Sequence, residues 1–168
     1  DLNDARKNMT KEGVDRAINI IDSTDINNDK ILVVYIPDIH ESLAGIVAGR
    51  VKEQYNKPTI ILTKSEEGVK GSARSIEEYN MFEGLLACKE LLDKFGGHPM
   101  AAGLSLQEDK VDELRIALNN KCELTDEDLT RKIMIDSSLP LEYLNLHLIE
   151  ELNVLEPFGK GNSKPVFG

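Results

Sequence analysis

Apolar positions recur along the chain with two different periods, and the switches between them mark the elements. Residues 10–22 set Val14, Ala17, Ile18 and Ile21 at helical spacing against Lys11, Glu12, Asp15, Arg16 and Asn19, which predicts an amphipathic helix. Residues 23–30 are polar and turn-rich, a linker. Ile31-Leu32-Val33-Val34-Tyr35-Ile36 is a β-branched apolar run of the kind buried on both faces of an α/β sheet, and Pro37-Asp38 stop it. A helix capped by Ser42 is expected next, with Leu43, Ile46, Val47 and Val51 inward and Ala44, Gly45, Ala48 and Gly49 permitting close approach. Thr59-Ile60-Ile61-Leu62-Thr63 is a second buried strand.

Residues 69–74 read as a third strand whose alternation sends Lys70, Ser72 and Arg74 to one face. Ser75 and Glu78 fit a capping box opening a helix with Met81, Phe82, Leu85, Leu86, Cys88 and Leu92, which runs out at Phe95 and is closed by Gly96-Gly97. Residues 100–106 predict a small-residue strand, and 108–120 a closing helix with Val111, Leu114 and Leu118 inward. Beyond Cys122 come an acidic linker at 123–128, a strand at 132–135, a short helix at 146–155, and a Gly- and Pro-rich turn at 157–168 that enters a further strand. The fold class is α/β, a mixed β-sheet flanked by helices.

At 168 residues the chain can bury one good core, or one core and a fragment of another. With 40% hydrophobic and 30% charged residues it reads as a water-soluble globular sequence with no membrane partner and no secretory segment. Cys88 and Cys122 lack CxxC spacing, so buried thiols in a reducing cytoplasm are expected. The formal net charge of −10 opposes a nucleic-acid partner, because phosphate-backbone affinity comes from clustered cations. The carboxylates gather at 22–29, 108–113 and 123–128, however, while Lys64, Lys70, Arg74 and His98 fall in or near two other segments. A positive groove on an acidic body is predicted, with salt-sensitive binding.

Those two segments have a composition that ordinary packing does not require. In Phe95-Gly96-Gly97-His98-Pro99-Met100-Ala101-Ala102-Gly103 the glycines let backbone N–H groups approach a ligand and His98 adds a donor. Ala101, Ala102 and Gly103 then leave no bulk on the next element, so another backbone can lie against it. Lys70-Gly71-Ser72-Ala73-Arg74-Ser75 repeats this chemistry with hydroxyls and two cations. Together they predict two sides of one phosphate site. Arg74 supplies a planar fork for two phosphate oxygens, with Ser72 and Ser75 as hydroxyl donors, although Ser75 is also placed to cap a helix. Taken alone, Gly96-Gly97-His98 also reads as a helix C-cap followed by a surface histidine, and Arg74 as a solvated strand residue paired with a carboxylate. His40 beside Glu41 has no further ligands at recognisable spacing, so no metal site is predicted. Neither a Gly-x-Ser-x-Gly elbow nor a GxxxxGK[ST] loop occurs.

Read in order, the Lys-Gly-Ser-Ala-Arg-Ser, Phe-Gly-Gly-His and Ala-Ala-Gly segments resemble the DHH-associated domain of RecJ-type single-strand-specific DNA exonucleases, members of the DHH phosphoesterase superfamily. Leu155-Glu156-Pro157-Phe158-Gly159-Lys160-Gly161-Asn162 is similar to the entry of the OB-fold domain that follows in that family, and Leu2-Asn3-Asp4-Ala5-Arg6-Lys7 resembles the end of the catalytic domain that precedes it. Nothing matches the Asp-His-His motif or the metal-binding aspartate motifs of that catalytic domain. The resemblance implies a connecting helix over 1–24, a DHH-associated substrate-binding domain over 25–122, and over 123–168 a linker and an incomplete OB-like segment, too short to close a barrel of about five strands.

It further implies that Gly96, Gly97, His98, Arg74, Ser72, Ser75, Lys70, Ala101, Ala102 and Gly103 bind the phosphate backbone of single-stranded DNA, with His40 and Arg50 as weaker contacts. No catalytic or metal-ligating residue is expected in this stretch, and no cofactor. Mn²⁺ or Mg²⁺ is expected in the absent catalytic domain, activating water and stabilising the leaving oxygen. The implied parent is a 5′–3′ exonuclease of DNA repair and recombination, and the stretch alone is expected to be inactive. Two other readings stay open. One is the substrate domain of a DHH-family oligoribonuclease or cyclic-dinucleotide phosphodiesterase, against which the OB-like entry argues. The other is a structural, protein-docking module, which the acidic surface favours.

Overall fold

The computed structural model describes residues 2–159 and 161–168. Lys160 of the C-terminal motif, and the side chains of Leu2 and Asn3 in the N-terminal one, lie outside the described residues. The chain divides into two units, Asp1–Thr130 and Arg131–Gly168.

In the first unit the elements run α1 (Leu2–Ser23), β1 (Leu32–Tyr35), α2 (Glu41–Tyr55), β2 (Thr59–Ser65), β3 (Gly68–Arg74), α3 (Met81–Leu86), β4 (Lys94–His98), β5 (Ala101–Leu106), α4 (Val111–Asn120) and α5 (Asp126–Leu129). The strands form one sheet in the order β1-β2-β3-β5-β4, with β1 parallel to β2 and the other pairs antiparallel. This is the mixed, helix-flanked α/β architecture expected from the sequence.

The apolar runs of β1 and β2 are buried on both faces because helices cover both. On one side α1 and α2 bury Ala17, Ile21, Val47 and Val51 against Leu32, Val34 and Ile61. On the other, α3 and α4 bury Met81, Leu85, Leu114 and Leu118 against Val33, Ile60, Leu62, Leu104 and Leu106. The cover is unequal. α2 lies over β2 and β3, and on that same side Lys94, Gly96 and Gly103 of β4 and β5 are exposed.

Several local expectations are corrected. The buried stripe of α1 is Thr10, Gly13, Ala17 and Ile21, leaving Val14 and Ile18 half-buried. Gly13 lets α1 cross α2 closely, since a Cβ there would sit 3.0 Å from Val47 Cγ2. His40, not Ser42, caps α2: its Nδ1 accepts from the Ser42 N–H at 3.2 Å. Ile46 is exposed, and Ala44 and Ala48 take the inward positions. Asn80 rather than Ser75 caps α3, accepting from the Glu83 N–H at 3.2 Å.

The largest correction concerns residues 87–98. The helix stops at Leu86, a single 3-10 turn covers Lys89–Leu91, and Phe-Gly-Gly-His lies in strand β4 rather than at a helix C-cap. The competing force is tertiary. Phe95 pairs with Leu104 and its ring packs 5.8 Å from that of Phe82, while β5 gains a paired neighbour from Ala101 to Ser105. A two-residue turn at Pro99 and Met100 closes the hairpin, and the tip is tied down by the Met81 N–H donating to Pro99 O and the Ser75 N–H donating to Met100 O, both at 2.9 Å.

In the second unit, α6 (Leu146–Asn153) forms as expected, whereas 132–135 is not a strand. Ser137 instead bridges Phe167 in parallel, with the Asp136 N–H donating to Val166 O at 2.8 Å. No described residue of this unit is buried, and Ile133, Met134 and Leu146 are each more than three-quarters exposed.

Candidate nucleic-acid interface

Strand alternation and register together build the site. On the α2 side of the sheet the pairing sets three rows: Arg74 beside Ala101 beside His98, Ser72 beside Gly103 beside Gly96, and Lys70 beside Ser105 beside Lys94. Residues directly opposite on neighbouring strands point to one face, so the backbone positions of Arg74 and His98 lie about 10 Å apart across two strand spacings, on a common side. Between these rows and the first turns of α2 opens a cleft of about 520 Å³, lined among others by Ser42, Lys70, Ser72, Lys94, Gly96 and Gly103.

The cleft floor is bare without a packing reason. A Cβ on Gly96 would meet nothing within 4 Å, and one on Gly103 only Gly71 O at 3.9 Å. Gly97 is different: its φ is +151° and a Cβ would lie 2.6 Å from Ala102 Cα, so the hairpin itself requires glycine there. The α2 wall is bare as well. A Cβ on Gly45 would come 2.7 Å from Arg74 Nη2 and 3.6 Å from Ser72 Oγ, which identifies Gly45 as the shelf on which the guanidinium rests.

Arg74 Nη1 donates to Ala73 O at 2.8 Å, and among the described residues no carboxylate pairs with this guanidinium. His98 Nδ1 accepts from the Met100 N–H at 3.3 Å, which leaves Nε2 as the proton-bearing nitrogen of the neutral ring and a free donor. At the other end of the cleft Lys70 Nζ lies 3.4 Å from Glu41 Oε2, each side chain a little over half exposed. Thr63 also lines the cleft, but its hydroxyl donates to Ile39 O at 2.6 Å.

The sheet thus brings Arg74, Ser72, Lys70, Gly96, Gly103, Ala101 and His98 to one face, where Ser72, Lys70, Gly96 and Gly103 line the cleft and Arg74, Ala101 and His98 form the next row, outside its lining. Other sequence candidates are placed elsewhere. Ser75 is buried and its hydroxyl donates to Tyr79 O at 2.6 Å, so it is a fold-holding residue, not a cleft donor. Ala102, in register with Gly97, is buried in the core on the opposite face. Lys64 alternates away from Thr63 to that opposite side as well. His40 is engaged in capping α2, and Arg50 is exposed on α2 outside the cleft lining. Lys94 and Ser105 were not expected. Lys94 stands two and four positions before Gly96 and His98, a period-two signal that a helical reading of the segment conceals.

Among the described residues no group of three or more His, Cys, Asp or Glu is placed to hold a metal ion. Among them, too, no helix is long and apolar enough to cross a membrane.

Comparison with known proteins bears on the family and the fold. The DHHA1 domain family matches residues 28–124, and the RecJ OB domain family matches residues 135–168. The single-stranded-DNA-specific exonuclease RecJ of Bacillus subtilis is 38% identical over 168 residues, covering 98% of this chain and 21% of that protein. Its Escherichia coli namesake is 30% identical over 176 residues, covering 99% of this chain and 30% of that protein. A crystal structure of RecJ in complex with Mg²⁺ from Thermus thermophilus superposes with a TM-score of 0.85 at 26% identity, over 99% of this chain and 26% of that one. The chain therefore spans between a fifth and a third of the length of these two curated relatives. With a five-stranded mixed sheet and both domain families in agreement, the chain belongs to the DHHA1 family and is of RecJ type, its residues 28–124 matching the DHHA1 domain and 135–168 the RecJ OB domain.

Proposed function

We propose that the cleft holds the phosphate backbone of single-stranded DNA and presents its 5′ end to a two-metal site on a catalytic domain outside these 168 residues, within a RecJ-like 5′–3′ exonuclease. The observation that carries this reading is the register of Arg74, Ala101 and His98, which puts a carboxylate-free guanidinium and a free imidazole N–H on one side of the sheet above a floor without side chains. Arg74 grips phosphate oxygens as a planar fork, Ser72 and Lys94 add donors along the next rows, and Gly96 and Gly103 let the sugar-phosphate chain lie close to the backbone. Positioning and charge neutralisation are the contributions of this chain. With no metal ligand set of its own among the described residues, it hydrolyses nothing alone. Residues 135–168, matched by the RecJ OB domain family, favour this reading over a DHH-family enzyme for short oligoribonucleotides or cyclic dinucleotides.

The test is a titration of labelled oligothymidylate against the wild-type chain and Arg74→Ala at low and moderate salt. Binding is expected to weaken steeply with salt and to fall by about tenfold or more in the variant, the loss of one charge-assisted pair of about 1.5–3 kcal/mol. Salt-insensitive association, or equal affinity in the two proteins, would refute it.

A further inference from the structure

The two ends of the cleft differ in charge. Toward Arg74, which stands on the same face beyond the cleft lining, no carboxylate partner is present among the described residues, whereas in the Lys70 row, which also holds Lys94, Glu41 lies within ion-pair distance of Lys70, and an adjoining depression adds Glu66 and Glu67. We propose that Glu41 is a built-in stand-in for phosphate: it occupies Lys70 while the cleft is empty and must give way when a nucleic-acid strand enters. It thereby weakens backbone binding at this end and confines tight phosphate contact to the Arg74 end.

This rests on the reading of the cleft as a strand-binding site, and three observations carry it beyond that reading. First, Glu41 is not the cap of α2, and its charge serves the fold only through the modest attraction of a first-turn carboxylate to the helix N-terminus. The cap of α2 is made by His40 Nδ1 to the Ser42 N–H, and Glu41 itself is exposed on the first turn. Second, the contact is loose and wet: 3.4 Å, with side chains 55% and 57% exposed, the class of surface pair that contributes little to stability and rearranges freely. Third, both partners line the cleft, so a phosphate reaching Lys70 meets the carboxylate as a direct competitor. Like-charge juxtaposition of this kind selects against a partner more effectively than it stabilises a fold.

The experiment measures oligothymidylate affinity at several salt concentrations for wild type, Glu41→Gln, Lys70→Met, the double variant and Arg74→Ala. Glu41→Gln is expected to bind about three- to tenfold more tightly at low salt, with the gain closing as salt rises and the thermal midpoint falling by no more than a few degrees as one first-turn charge is lost. In the Lys70→Met background most of that gain should vanish, because there is no ammonium left to release. Unchanged or weaker binding by Glu41→Gln, while Arg74→Ala still loses affinity, would overturn the role of Glu41 and leave the cleft assignment standing. A gain undiminished in the double variant would make Glu41 a through-space charge, not an occupant of Lys70, and would equally overturn it. No salt-sensitive binding by any of the proteins would refute the strand-binding reading itself, and this inference with it.

Discussion

Alanine placed first at Gly96 and then at Gly97 perturbs two neighbouring positions of one strand in opposite ways. Gly97 sits at φ +151°, a region that residues with a Cβ occupy only at a cost of about 1–3 kcal/mol. Its methyl would also lie 2.6 Å from Ala102 Cα, which is backbone of a paired strand and cannot swing aside. Together these amount to roughly 3 kcal/mol, or about 10 °C in the thermal midpoint of a domain of this size. Gly96 has neither problem, since its methyl meets nothing within 4 Å. Removing a glycine there narrows the unfolded ensemble and is expected to leave stability unchanged or raise it by up to about 1 kcal/mol. The same methyl projects into the cleft floor, where it should weaken oligothymidylate binding by about tenfold, an overpacking cost of about 1.4 kcal/mol. Thermal unfolding and fluorescence anisotropy on both variants separate the effects. A Gly96→Ala protein as unstable as Gly97→Ala, or one that binds like wild type, would refute the view that Gly96 is bare for the sake of a ligand.

Gly45→Ala is expected to keep the fold, because its methyl meets only the flexible tip of Arg74 at 2.7 Å, and to reduce strand binding by displacing that guanidinium; a normal titration would contradict this. Ser75→Ala should cost about 1 kcal/mol in chemical denaturation by removing the bond to Tyr79 O, and leave affinity untouched. Asn119→Ala removes acceptors and donors shared with the Lys30 N–H, the Ile31 N–H and Ile31 O at 2.9–3.0 Å, and should lower stability by about 2–3 kcal/mol as the start of β1 comes loose from α4. The phenols of Tyr35 and Tyr55 are pushed up to about 12, first by desolvation and then by donating to Glu108 and Asp22. Their folded values lie above the ordinary 10, so their contribution is whole below about pH 10 and lost as pH rises toward 12; replacing both by Phe should flatten the alkaline loss of stability in that window, and identical pH profiles would count against it.

Four of the strands were legible, β5 from its run of small residues and the first three because their signal is local. β1 and β2 are β-branched apolar runs, and β3 alternates so plainly that the shared face of Lys70, Ser72 and Arg74 follows from period two alone. β4 was not legible. Its five residues hold one apolar side chain, Phe95, and two glycines, so nothing local favours a strand; the preference comes from pairing with β5. The helical spacing of Met81, Leu85 and Cys88 is real and buries all three, but it carries on past the last helical turn through a 3-10 segment. The caps fail for a similar reason. Ser42 and His40 are both competent, and where the chain bends decides between them, while Ser75 is drawn from its capping duty by the hairpin tip that binds its N–H. The cationic side of the cleft could be read off β3, whereas Lys94 joins it only through a register that no single segment encodes.

The formal charge of −10 is reconciled with an anionic ligand by where the carboxylates are engaged. Asp22 accepts from Tyr55, Asp29 pairs with Arg115, and Glu108 accepts from Tyr35, contacts that fasten the helices and loops around β1. β1 and β4 are the opposite edges of the sheet, about 19 Å apart over four strand spacings. That exceeds the screening length of about 8 Å at physiological ionic strength, so Asp22 and Asp29, on the β1 side, do little to the field at His98 and Lys94. The nearer carboxylates are Glu41, which lines the cleft itself, Glu66 and Glu67 in the adjoining depression, and Asp93 beside Lys94. On the proposed reading, electrostatic specificity is therefore decided by the few charges within one screening length of the bare floor, and the sign of the whole molecule governs only how a strand would approach from solution.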